Sequence, residues 1–159
     1  MDKIAPAIAR KWAFEDFAEG VTIDLGAKDV TAAEIVDFAS EFDPQPMHLD
    51  ESAGQASILG GLSASGWHTC SMFMRLLCDA ILLDSTSQGA PGVDHIRWKK
   101  PVLAGDRLSG QATIVATRPS KSRPTLGLVT MRSELVNQRG ETVLELENTG
   151  MFLKRGAAA

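Results

Sequence analysis

The sequence predicts an α+β domain, an antiparallel sheet of about five strands wrapped around one long buried helix. Three observations predict it. Helical patterns come early in the chain and four strand patterns follow in a run, the order of an α+β fold rather than of alternating parallel units. One pattern, from about Ala64 to Leu83, is apolar nearly all round, which marks a helix enclosed by the rest of the fold. The 159 residues, 44% hydrophobic and 23% charged, suffice for one core, so residues 1–159 are read as a single domain with its core at about 14–154.

The elements follow in order. Trp12, Phe14 and Phe17 are candidate anchors, and Val21–Leu25 alternates as a first strand. Thr31-Ala-Ala-Glu34 has the spacing of a capping box, so a helix runs from there to about Glu41, with Ile35, Phe38 and Ala39 on one face. Asp50 is placed to cap a short helical turn, DESAGQA. In the long helix Trp67, Cys70, Ser71, Met74, Leu77, Cys78 and Ile81 share a stripe, and the opposite side, with His68, Met72 and Leu76, is also largely apolar. A Ser/Gly/Pro-rich loop separates it from strands at Val93–Lys100, Arg107–Thr117, Leu126–Val136 and Thr142–Lys154. Leu108, Ala112 and Ile114 share one face, Asn137–Gly140 is a hairpin turn, and Ala157–Ala159 is a tail.

Composition narrows the function. The net charge is −4, and no run of Lys or Arg marks a nucleic-acid surface. Lys121-Ser-Arg123, near Arg118 and between two prolines, reads as an exposed turn. No stretch reaches the ~20 apolar residues of a membrane helix. The start, MDKIAPAIARKW, is a poor signal peptide, so the expected location is the cytoplasm. Cys70 and Cys78, eight positions apart on one helix, are roughly 12 Å apart, too far for a disulfide, and read as buried, reduced thiols.

The stretch FDPQPMHLD carries the chemistry. Asp43 and His48 are five residues apart, and Pro44 and Pro46 stiffen the gap. Such stiffening suits a loop that holds two polar groups in one arrangement. Taken in isolation, Asp43 as a turn cap and His48 as a satisfied loop histidine remain open readings.

With its flanks, the chain resembles the MaoC-like dehydratase family, which includes (R)-specific enoyl-CoA hydratases and has the hot dog fold. The resemblance rests on Asp43-Pro-Gln-Pro-Met-His48, on the preceding TAAEIVDFAS, on Gly60-Gly-Leu-Ser-Ala-Ser-Gly66, and on Ile96-Arg-Trp-Lys-Lys-Pro-Val-Leu-Ala-Gly-Asp106. Together these cover about residues 14–154. Two positions depart from the pattern: Gln45 stands where Asn is usual, and Ser65 where His is often found.

The resemblance implies a hydratase or dehydratase working across the 2,3 bond of an enoyl-CoA or 3-hydroxyacyl-CoA thioester. Asp43 and His48 would hold and deprotonate the water, and the Gly66 N–H would polarise the thioester carbonyl. Gln45, Pro46, Gly61, Ser65 and Trp67 are the expected substrate contacts. The acyl-CoA or acyl-carrier thioester would enter near Gly60–Gly66 and Pro101–Asp106. No metal or redox cofactor is implied, CoA being part of the substrate, and a homodimer is. A thioesterase and a non-catalytic acyl-thioester binding subunit are the alternatives. A thioesterase would carry its acid on the long helix, where Asp79 sits near the far end. Of the remaining polar groups, Asp50 reads as a cap, His68 as a packed core histidine, and His95 as structural or interfacial. Met72, Phe73 and Met74 read as core.

Overall fold

The computed structural model describes residues 12–157, and the readings of the first eleven residues and of Ala158 and Ala159 lie outside it. The strands are β1 (Thr22–Asp29), β2 (His95–Trp98), β3 (Arg107–Pro119), β4 (Leu126–Val136) and β5 (Thr142–Leu153). They form one antiparallel sheet in the order β1-β3-β4-β5-β2. Before β2 the chain makes helices α1 (Ala32–Phe42), α2 (Glu51–Ala56) and α3 (Gly66–Ala80). This is the expected α+β sheet with one long central helix.

Local signals explain the boundaries. Thr31 Oγ1 accepts the Glu34 N–H at 3.2 Å and donates to the Glu34 carboxylate, so α1 starts where the Thr/Glu spacing places it. Asp50 caps α2 by accepting from the Ala53 N–H at 2.9 Å. Ser65 caps α3 by accepting from the Trp67 N–H at 3.3 Å, so α3 begins at Gly66 rather than Ala64. In β3, Leu108, Ala112 and Ile114 alternate with exposed neighbours and are all buried, as the period-2 pattern requires. β2 is shorter than the sequence suggests. The strand proper is His95–Trp98, flanked by single bonds from the Asp94 and Lys99 N–H groups to β5, and the chain leaves the sheet ahead of Pro101.

The core lies between the sheet and α3. Met72, Phe73, Leu76 and Leu77 pack there with Leu108, Ile114, Val129, Leu135 and Leu144. Gly110 of β3 makes room for α3: a Cβ there would stand 3.3 Å from the Leu76 side chain. Phe17 belongs to this core, and Trp12 and Phe14 pack on its edge.

The face of α3 corrects the sequence reading. The buried side is His68, Thr69, Met72, Phe73, Leu76 and Leu77. Trp67, Ser71 and Met74 from the other stripe are exposed, and Met74 is not core. Cys70 and Cys78 are free thiols, half-buried rather than buried. The cause is geometric. A helix lying on one sheet has one covered side, and an apolar residue on its outer side meets solvent or another molecule.

This assignment predicts a contrast within one helical turn. Leu77→Ala should lower unfolding stability by about 2–5 kcal/mol, whereas Arg75→Ala, on the exposed side, should stay within ~0.5 kcal/mol, both measured by urea denaturation.

Candidate active site

The site begins with the end of α1. Its last turn closes with the Asp43 N–H donating to the Ala39 carbonyl at 2.9 Å, which makes Asp43 the C-terminal cap. Pro44 then lies inside a tight turn, because the Gln45 N–H returns to the Asp43 carbonyl at 2.8 Å. Gln45 is extended (φ −76°, ψ 141°), as a residue before proline prefers. Pro46 starts a single 3₁₀ turn ending at His48. The two prolines thus fix a reversal that sets His48 back against Asp43.

His48 is buried, and its Nδ1 is 2.7 Å from the Ser63 carbonyl oxygen. A carbonyl only accepts, so Nδ1 carries a proton there and the ring turns its Nε2 edge toward Asp43. That Nε2 is 3.5 Å from Asp43 Oδ2. Asp43 is itself held by two donors: Ser65 Oγ donates to Oδ2 and Gln45 Nε2 to Oδ1, each at 2.7 Å. Chiefly the Ser65 hydrogen bond, then that from Gln45, outweighs burial and holds the Asp43 carboxyl below its ordinary value, with the neighbouring His48 adding to the effect. The pair is therefore a carboxylate beside the Nε2 edge of an imidazole. A gap of this kind can be bridged by one water.

These groups open on a cleft of ≈ 380 Å³. Asp43, Gln45, His48, Gly66 and Trp67 line it, so five of the eight expected site residues share one cavity. Pro46, Gly61 and Ser65 are not among its lining. Pro46 is exposed at the head of its turn. Gly61 is buried, with its carbonyl oxygen only 2.2 Å from where a Gly54 Cβ would stand, so its place is set by packing on α2. Ser65 is wholly buried and acts on Asp43 from behind. His68 is buried and stacked on Phe38 at 4.8 Å, the packed core histidine expected.

As the first residue of α3, Gly66 offers an N–H that no helical carbonyl can accept, at the positive end of the helix dipole. Its lack of a side chain has a visible reason. A Cβ would lie 2.7 Å from the Trp98 indole, whose Nε1–H donates to the Gly66 carbonyl at 2.9 Å. Trp98 meets Trp67 edge-on at 5.4 Å. Trp98, Lys99, Lys100 and Val102 also line the cleft; Val102 falls within the expected entry at Pro101–Asp106, and the other three carried no expected role. The available signal was Ile96–Asp106, which brings the second wall of the cleft as well as a turn. Among the described residues no group of three or more His, Cys, Asp or Glu is placed to hold a metal ion.

Comparison with known proteins identifies the family and the fold. The MaoC like domain model matches residues 9–136, and the chain belongs to that family. The crystal structure of a MaoC-like dehydratase from Rhodospirillum rubrum superposes with a TM-score of 0.81 at 41% identity, covering 91% of this chain and 99% of that one. A Mycobacterium tuberculosis protein described as a double hotdog fold superposes with a TM-score of 0.74 at 17% identity over 92% of this chain and 46% of its own. The fold is accordingly the hot dog fold. The mesaconyl-CoA hydratase of Haloarcula hispanica is 39% identical over 69 residues, which are 43% of this chain and 19% of that enzyme.

The Asp43 clamp predicts a measurable titration. Ser65→Ala should raise the Asp43 carboxyl pKa in a carbon-13 NMR titration, and an unmoved resonance would contradict the assignment. The sign for stability follows from linkage. A carboxyl lowered in the folded protein stabilises it above the unfolded pKa of about 3.9, and that share is lost as pH falls through the folded value. The wild type should therefore lose more stability on acidification than Ser65→Ala does.

Proposed function

We propose that this chain adds water to the 2,3 double bond of an enoyl thioester, or removes it from the 3-hydroxyacyl thioester, with R stereochemistry at C3. The observation that carries the reading is the Asp43–His48 pair. The two groups stand 3.5 Å apart, each oriented by others, and share a cleft with the first N–H of α3.

The proposed step balances with these groups alone. A water donates one hydrogen toward Asp43 and one toward His48 Nε2. Its oxygen bonds to C3 as the water proton passes to Nε2, and the π electrons move to C2 and the thioester oxygen. The Gly66 N–H, with the helix dipole behind it, stabilises that oxygen as charge develops. The imidazolium then returns its proton to C2. Asp43, kept ionised by Ser65 and Gln45, orients the water and stabilises the imidazolium meanwhile. No metal or redox cofactor enters this scheme.

Other features favour this reading over its rivals. Asp79, the acid a thioesterase would need on α3, lies thirteen positions beyond Gly66, about 20 Å along the axis, and is engaged by Arg75. A pure binding subunit has no need of a carboxylate clamped beside a tautomer-fixed histidine. The family includes hydratases, among them the mesaconyl-CoA hydratase matched in part, so mesaconyl-CoA belongs beside crotonyl-CoA among the test substrates. The reading also includes a homodimer. Among the described residues β2 pairs only with β5, and Trp98 on it and Trp67 against it are exposed.

The test is loss of enoyl-thioester absorbance. With the protein sedimenting as a dimer, Asp43→Asn and His48→Ala should each lower the hydration rate at least about a hundredfold while circular dichroism stays unchanged. Wild-type activity left intact by either substitution would remove the mechanism.

A further inference from the structure

We propose that Trp98 is a positioning residue for this site: its indole pins the Gly66 carbonyl and so fixes the direction of the Gly66 N–H. The inference rests on the reading of that N–H as the donor to the thioester oxygen and adds what holds it in place.

A glycine at the start of α3 is an awkward choice for a site that needs one fixed donor. Glycine has the freest backbone, and helix ends fray first. Gly66 is not among the glycines with positive φ, so its own conformation does not call for glycine. The requirement comes from Trp98. A Cβ on Gly66 would stand 2.7 Å from indole Cε2 and 2.9 Å from Nε1. The ring uses that closeness, because Nε1–H donates to the Gly66 carbonyl at 2.9 Å. The glycine admits the indole, and the indole removes the freedom that the glycine brings.

Both peptide planes that meet at the Gly66 Cα are anchored. The Ser65 carbonyl, in the same plane as the Gly66 N–H, accepts the Thr69 N–H at 3.0 Å, a bond internal to α3. The Gly66 carbonyl, in the next plane, is held by Trp98 from the sheet. Trp98 itself has a firm base. It ends β2 opposite Leu144 of β5, and the next residue, Lys99, donates its N–H to the Val143 carbonyl at 2.9 Å. Its ring meets the Trp67 indole edge-on at 5.4 Å. Trp98 lines the cleft, but its N–H is engaged by Gly66, so it acts through that residue.

Trp98→Phe keeps an aromatic ring and removes the N–H. The probe is butyryl-CoA labelled with carbon-13 at the thioester carbonyl, a saturated ligand that takes up no water. On the wild type its carbonyl resonance should move downfield, as a polarised carbonyl does, and in Trp98→Phe at saturating ligand at least half of that shift should be lost. With crotonyl-CoA, Trp98→Phe should lower kcat at least about fivefold and leave KM within twofold. A second pair of variants tests the contact without any ligand. Gly66→Ala should lower the urea midpoint of the wild type but not that of Trp98→Ala, because alanine is the better helix former once the indole is gone. An equal loss in both backgrounds, a carbonyl resonance in Trp98→Phe equal to that in wild type, or a raised KM at unchanged kcat would overturn the proposal. So would a wild type that leaves the butyryl resonance unmoved, a result that leaves Asp43 and His48 to be judged by their own variants. A carbonyl shift that depends on Trp98, in a wild type that hydrates no enoyl thioester, would keep this role for Trp98 and remove the hydratase.

Discussion

The hydroxyl of Ser65 joins two helices at the candidate site. It accepts the Trp67 N–H and so starts α3, and it donates to the Asp43 carboxylate that ends α1. Wholly buried, it has no competing water. The same short segment fixes the histidine, because the carbonyl two residues earlier, on Ser63, takes the Nδ1 proton of His48. Three residues of chain thereby set the direction of both side chains and the position of the Gly66 N–H. The Pro44–Pro46 reversal supplies the matching constraint from the other side.

The sheet makes that junction usable. α3 lies close over β3 at Gly110, where a Cβ would stand 3.3 Å from the Leu76 side chain. β2, the edge strand, ends beside that N-terminus, and Trp98 settles on Gly66 where any side chain would obstruct it. The cleft is therefore a gap between a rigid loop and a sheet edge, and its walls carry different chemistry. One wall holds the carboxylate and the imidazole. Trp98, Lys99 and Lys100 line the cleft as well.

Much of this was legible in the sequence. Strand alternation located β3 and β4 to within a residue or two, because period-2 burial on a sheet leaves a direct trace. Thr31, Asp50 and the prolines acted where their stereochemistry placed them. The motif brought Asp43, His48 and Gly66 into one cavity. Two departures from the family pattern, Gln45 and Ser65, turned out to meet on a single carboxylate. Their spacing alone could not show it, since twenty residues separate them and only the fold closes that distance. The side of α3 that is buried was not legible either, because apolar residues occupy both sides and hydropathy does not say which one meets the sheet. The wall at Trp98–Lys100 escaped for a similar reason. It lies far along the chain on an edge strand, where lysines and tryptophans ordinarily read as surface.

The central claim is that water activated by Asp43 and His48 ends on C3 while a proton ends on C2. Running the wild type on crotonyl-CoA in deuterium oxide and reading the product by NMR tests it most directly. The account predicts a 3-hydroxybutyryl thioester with one deuteron at C2, of R configuration at C3, and no free thiol. Release of free thiol with C2 undeuterated would make the protein a thioesterase, and recovery of unchanged crotonyl-CoA would contradict the assignment of the pair as a water-activating site.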